Sequence, residues 1–129
     1  MLSRMPGPVA LVGSGEFLPA MGDVDAGLLA ATGRARPRVV LLPTASWPDG
    51  EDVFRRWASM GVEHFAALGA EVEPVLVRDR LDADDASHVQ AIGEADLVYL
   101  SGGRYDALFL DVAMPEIEGM ALARLLRRF

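Results

Sequence analysis

Arg38-Val39-Val40-Leu41-Leu42-Pro43 sets four apolar residues in a row behind an arginine and stops them at a proline. A short apolar run without polar alternation is what a strand buried on both faces requires, and proline cannot continue the ladder. Small and turn-forming residues follow, Thr44-Ala45-Ser46-Trp47-Pro48-Asp49-Gly50, and the hydrophobic period then changes. Over residues 51–68, Val53, Phe54, Trp57, Met60, Phe65 and Leu68 fall near one helical face, and Gly69 ends the helix. Strand, loop and long amphipathic helix in this order is the repeating unit of a parallel sheet covered by helices.

The same alternation extends to both sides. Upstream, Val9-Ala10-Leu11-Val12 reads as a strand breaking into Gly13-Ser14-Gly15-Glu16, and residues 23–31 as a helix with Asp23 as N-cap. Downstream, residues 71–77 read as a strand whose Pro74 suits an edge position, and Asp82, Asp84 and Asp85 open a short helix ending near Gly93. Leu97-Val98-Tyr99-Leu100 is a further strand, breaking into Ser101-Gly102-Gly103. Residues 107–112 give a fifth strand and residues 119–128 a final amphipathic helix. The expected fold is a single α/β domain over 1–129: three-layer α/β/α, flavodoxin-like (Rossmann-like), with a five-stranded parallel sheet and right-handed crossovers.

Composition limits function. Of 129 residues, 51% are hydrophobic and 24% charged, a globular balance, and the formal net charge of −7 argues against nucleic acid or anionic membrane as partner. There is no cysteine, which excludes disulfides, thiolate nucleophiles and Cys-based metal sites. No stretch reaches the roughly 20 apolar residues of a membrane span, so a cytoplasmic protein is expected. All 12 basic residues are arginine, and lysine is absent.

Three stretches together carry a first likeness: Gly13-Ser14-Gly15-Glu16-Phe17-Leu18 with Met21, Leu42-Pro43-Thr44-Ala45-Ser46, and Ala95-Asp96-Leu97-Val98-Tyr99-Leu100-Ser101-Gly102-Gly103. Trp57, Gly61-Val-Glu-His64-Phe65 and Leu68-Gly-Ala-Glu-Val72 fit between them. Over about residues 8–103 the chain resembles the cyanophycinase and dipeptidase E type of serine peptidase, relatives of the class I glutamine-amidotransferase fold. The resemblance implies a nucleophilic serine on a sharp turn after the next strand, in a Gly-x-Ser-Ala-Gly-like motif with backbone N–H groups serving the oxyanion. No Gly-x-Ser-x-Gly follows Gly103. The strand-end serines are Ser14, Ser46 and Ser101, and neither His64 nor His88 is placed by sequence to serve one as base; both are expected as ordinary helix residues.

A second likeness begins near Tyr105. Leu110-Asp111-x-x-Met114-Pro115-x-x-x-Gly119, with an apolar strand before it and Ala-Leu-Ala-Arg-Leu-Leu-Arg-Arg after, resembles the third strand and following helix of a response-regulator receiver domain. That resemblance implies that Asp111 corresponds to the phosphoacceptor. Phosphoryl transfer to a carboxylate also needs a magnesium ion held by further acids and a lysine on the phosphoryl oxygens. The chain supplies only Glu16 after its first strand and no lysine, and arginine is not an equivalent point charge. An inactive Asp111 is expected.

Gly13, Ser14 and Gly15, with Ser101, Gly102 and Gly103, would share one edge of the sheet, where open α/β folds bind ligands. They read either as a small anion pocket or as glycines that permit tight turns. Asp79, Asp82, Asp84 and Asp85 lack EF-hand spacing and read as loop and helix caps. Trp47 faces a substrate or packs its loop.

These readings lead to an expectation of a recombined or engineered chimeric scaffold, residues 1–104 peptidase-like and 105–129 receiver-like. It would have no catalytic residues, no metal or other cofactor, and no enzymatic activity. Partners would be limited to a small anion at the glycine loops and a second copy across an exposed sheet edge. The alternatives are a serine hydrolase of the peptidase type and a vestigial phosphoaccepting receiver at Asp111.

Overall fold

The computed structural model describes residues 8–12 and 15–102. Residues 8–12 adopt neither helix nor strand, so the expected strand over 9–12 is not observed. The compact unit that starts at Gly15 holds the regular structure. A 3-10 turn over Pro19–Met21 leads into α1 (Gly22–Ala31), followed by β1 (Arg38–Leu42), a second 3-10 stretch over Thr44–Asp49, and α2 (Glu51–Ala67). β2 (Glu71–Pro74), α3 (Arg80–Ala83), α4 (Ala86–Glu94) and β3 (Leu97–Leu100) complete it.

The described sheet is parallel throughout with strand order β2-β1-β3. It has three strands where five were expected: 9–12 is irregular, and 107–112 lies outside the described residues. β1 is the described strand paired on both sides, which explains its unbroken apolar run, with Val39, Val40 and Leu41 all buried. β2 ends at Pro74 and carries exposed Glu71 and Glu73, as suits the outer position it takes in this sheet.

Register follows from two anchors. The Glu71 N–H donates to the Pro37 carbonyl at 2.9 Å, fixing β2 against the entry to β1. On the other side, Asp96 N–H donates to the Arg38 carbonyl while Arg38 N–H donates to Asp96 Oδ2, both at 2.9 Å. Val39 therefore sits opposite Val72 and Leu97, and Leu41 opposite Pro74 and Tyr99. With a side-chain period of two, these residues share one face. Leu29 of α1 and Phe65 of α2 pack on it with Val39, Leu41, Ala70 and Tyr99 to form the core. α2 approaches closely because position 61 is glycine: a Cβ there would collide with the wholly buried Leu41 side chain, reaching 2.8 Å from Cδ1. On the opposite face Val40 is buried but Val98 is 42% exposed.

Two boundaries differ from expectation. Asp23 lies inside the first turn of α1, and Met21 occupies the N-cap. The acidic run starts two short helices, not one: Asp79 accepts from Asp82 N–H at the head of α3, and Asp85 from Ser87 N–H at the head of α4. Among the described residues no helix is long and apolar enough to cross a membrane.

Candidate functional site

The loops at the C-terminal ends of β1 and β3 meet at one edge of the sheet. Ser101 N–H donates to the Leu42 carbonyl at 3.1 Å, carrying the β1–β3 ladder one residue past β3. Ser46, in the turn after β1, is buried, and its Oγ donates to the Pro43 carbonyl at 2.7 Å. Ser101 is also buried, and its Oγ has no hydrogen-bond partner among the described residues. Gly102 follows at φ +75°, a left-handed conformation that favours glycine, and a Cβ there would stand 3.9 Å from Ser46 Cβ.

A third segment closes on this edge. Gly102 N–H donates to Glu16 Oε2 at 3.0 Å, an 86-residue span. Glu16 sits in a tight turn between Gly15 (φ +79°) and Phe17 (φ +63°), closed by Leu18 N–H donating to the Gly15 carbonyl. For phenylalanine that conformation costs roughly 1–3 kcal/mol and needs compensation from its surroundings. Ring packing supplies it: the Phe17 ring lies 5.1 Å from Tyr99, 5.7 Å from His64, 6.2 Å from Trp57 and 6.3 Å from Phe65.

Behind this aromatic cluster, His64 Nε2 and Asp25 Oδ2 are 2.7 Å apart. Asp25 is fully buried, and its Oδ1 has no hydrogen-bond partner among the described residues. His64 is thus not the ordinary helix residue expected, since α1 brings it an acid from 39 residues away. His88 is likewise committed, its Nδ1 hydrogen-bonded to the Asp82 carbonyl at 2.8 Å. No serine–histidine hydrogen bond forms among the described residues.

Trp47 packs its loop: its ring meets Phe54 edge-on at 5.6 Å, and the Arg78 guanidinium lies over both rings, 5.5 Å from Trp47 and 5.0 Å from Phe54. Arg78 is held by a two-pronged contact to Glu51, Nε to Oε2 at 3.1 Å and Nη2 to Oε1 at 2.7 Å. The hydrogen bond from Arg78 is the main cause that holds the Glu51 carboxyl well below its usual 4.5, at about 2; Arg55 adds to it and desolvation opposes it.

Of the predicted site residues, Gly15, Ser101 and Gly102 are described and converge on one edge. Gly13, Ser14, Gly103 and Asp111 lie outside the described residues. Neither the Phe17 conformation nor the Arg78 clamp carries a signal in sequence, since both depend on partners distant along the chain. Among the described residues no group of three or more His, Asp or Glu side chains is arranged to hold a metal ion.

The chain is similar to a peptidase of known structure. The crystal structure of a peptidase from an acI-B1 Actinobacterium matches it with a TM-score of 0.66 and 32% sequence identity. The likeness covers 71% of this chain and 38% of that one, so the chain spans well under half of its relative's length. No protein-family model matches, and no curated protein does. This result corrects the expectation of a protein without enzymatic activity. That expectation rested on motifs missing after Gly103, whereas the likeness to a peptidase extends over most of the chain. Nothing in it supports a receiver segment or a chimeric origin.

Proposed function

We propose that the chain belongs to a serine hydrolase of the cyanophycinase and dipeptidase E type and builds one wall of its active site. The observation that carries this reading is the 32% identity to a solved peptidase over 71% of the chain. The three stretches that resemble the family, around Gly15, Ser46 and Gly102, converge on one sheet edge, which supports it further.

The role of the described wall is electrostatic. The Gly102 N–H, held by a left-handed glycine at the end of β3, is the type of rigid donor that stabilises charge developing on a carbonyl oxygen, a role open to it once Glu16 gives it up. Ser46 and Ser101 are not assigned as nucleophiles: one is bonded to a carbonyl, both are buried, and neither has a base within reach. Residues 103–129 contain no serine, so of the strand-end serines only Ser14 is left as a nucleophile within this chain.

The test is reaction with a fluorophosphonate, read by intact mass and peptide mapping, alongside hydrolysis of a dipeptide panel. Label on Ser14 and turnover lost in Ser14→Ala is the expected result. A chain that takes no label and cleaves no dipeptide does not support a hydrolase.

A further inference from the structure

The contact between Glu16 and Gly102 places a full negative charge on a backbone amide at the edge where α/β folds take up anions. A water or a carbonyl could satisfy that N–H with no distortion. Instead the chain holds a carboxylate there from a turn with two successive departures into left-handed space, Gly15 and Phe17, and locks the turn with a four-ring aromatic contact. The residue before it, Ser101, has a buried hydroxyl with no partner among the described residues, Glu16 included. A rigid donor on a left-handed glycine makes a small polar seat, and the atoms resting on it are those of an acid.

We infer that the Gly102 amide is the donor of a carboxylate-binding subsite that the chain fills with its own Glu16, so that Glu16 competes with an anionic ligand for the end of β3. The ligand class is a small carboxylate, such as the terminus of a short peptide; its use in catalysis rests on the peptidase reading. Two carboxylates cannot accept the same N–H and repel each other at that separation. An incoming carboxylate therefore enters only as Glu16 leaves.

The experiment follows the Gly102 amide resonance of the ¹⁵N-labelled full chain during titration with sodium acetate, and with acetamide as neutral control, at constant ionic strength. Three proteins are compared: wild type, Glu16→Gln and Glu16→Ala. Removing a charged acceptor should lower the acetate dissociation constant about tenfold or more in Glu16→Ala. The Glu16→Gln protein, which keeps a neutral acceptor, should fall between, and acetamide should move the resonance in none of them. If Gly102 responds to acetate no more in Glu16→Ala than in wild type, or to acetamide as strongly as to acetate, the inference is wrong. Should Glu16→Ala lose its native spectrum, Glu16→Gln carries the same two outcomes with a smaller expected gain. None of this depends on turnover: acetate binding without fluorophosphonate labelling would remove the peptidase reading and leave the subsite standing.

Discussion

Asp25 and His64 show what a single buried pair contributes to this chain. Asp25 is wholly buried, and His64 Nε2 is the partner of one of its two carboxylate oxygens. Removing one member of such a pair leaves an uncompensated polar group in an apolar setting, which costs about 3–5 kcal/mol, whereas replacing both by apolar residues costs far less. His64→Leu should therefore lower stability by about that amount in urea unfolding. The double replacement Asp25→Leu with His64→Leu should recover much of the loss, giving a strongly non-additive cycle. A loss under about 1 kcal/mol for His64→Leu would mean that the pair is solvated and idle. No sequence pattern announces this contact. Asp25 falls in the first turn of α1, where an acid is expected for reasons of helix dipole alone. Glu16 was visible as part of a glycine-rich loop, but its bond to Gly102 spans 86 residues and had to come from the fold.

The elements themselves were far more legible, because apolar period and turn residues are local. β1 and β3 follow the bounds that their apolar runs imply, and α2 follows its helical stripe from Glu51 to just short of Gly69. The failures have local causes too. In β2 the apolar run continues to Val77, but bonding to β1 ends with Val75 N–H on the Leu41 carbonyl at 2.8 Å, and Val77 N–H turns back to the Val75 carbonyl at 3.0 Å. What sequence cannot supply is how elements are tied together, and Arg78 does this between the segment after β2 and the head of α2. Its partner Glu51 has a folded-state pKa of about 2 against an ordinary 4.5, so the contribution of the clamp is fully present above 4.5 and is lost as pH falls toward 2. The gap in Tm between wild type and Glu51→Gln should accordingly stay constant from neutral pH to about 5 and close steadily below it. A gap that is unchanged at acid pH would show that Glu51 acts by packing and not by charge.

At the scale of the molecule, the sheet buries its two faces unequally. The face of Val39, Leu41 and Tyr99 is sealed by α1 and α2, and Leu41 at its centre has no exposed surface. The face of Val40 and Val98 is open enough at β3 that Val98 keeps 42% of its surface. If the hydrophobic effect scales with area removed from water, these positions must differ in their contribution even though both are strand aliphatics one pairing apart. Leu41→Ala should cost about 2–5 kcal/mol, the sum of lost transfer energy and a cavity between β1 and Gly61 that a rigid helix cannot close. Val98→Ala should cost about 0.5 kcal/mol or less, as a half-exposed aliphatic does. Both are read from urea midpoints at two protein concentrations. A cost for Val98→Ala that approaches that of Leu41→Ala and grows with protein concentration would identify a second copy seated on this face, since association stabilises only the folded state it binds. A large cost independent of concentration would instead mean that the chain itself covers Val98 in solution.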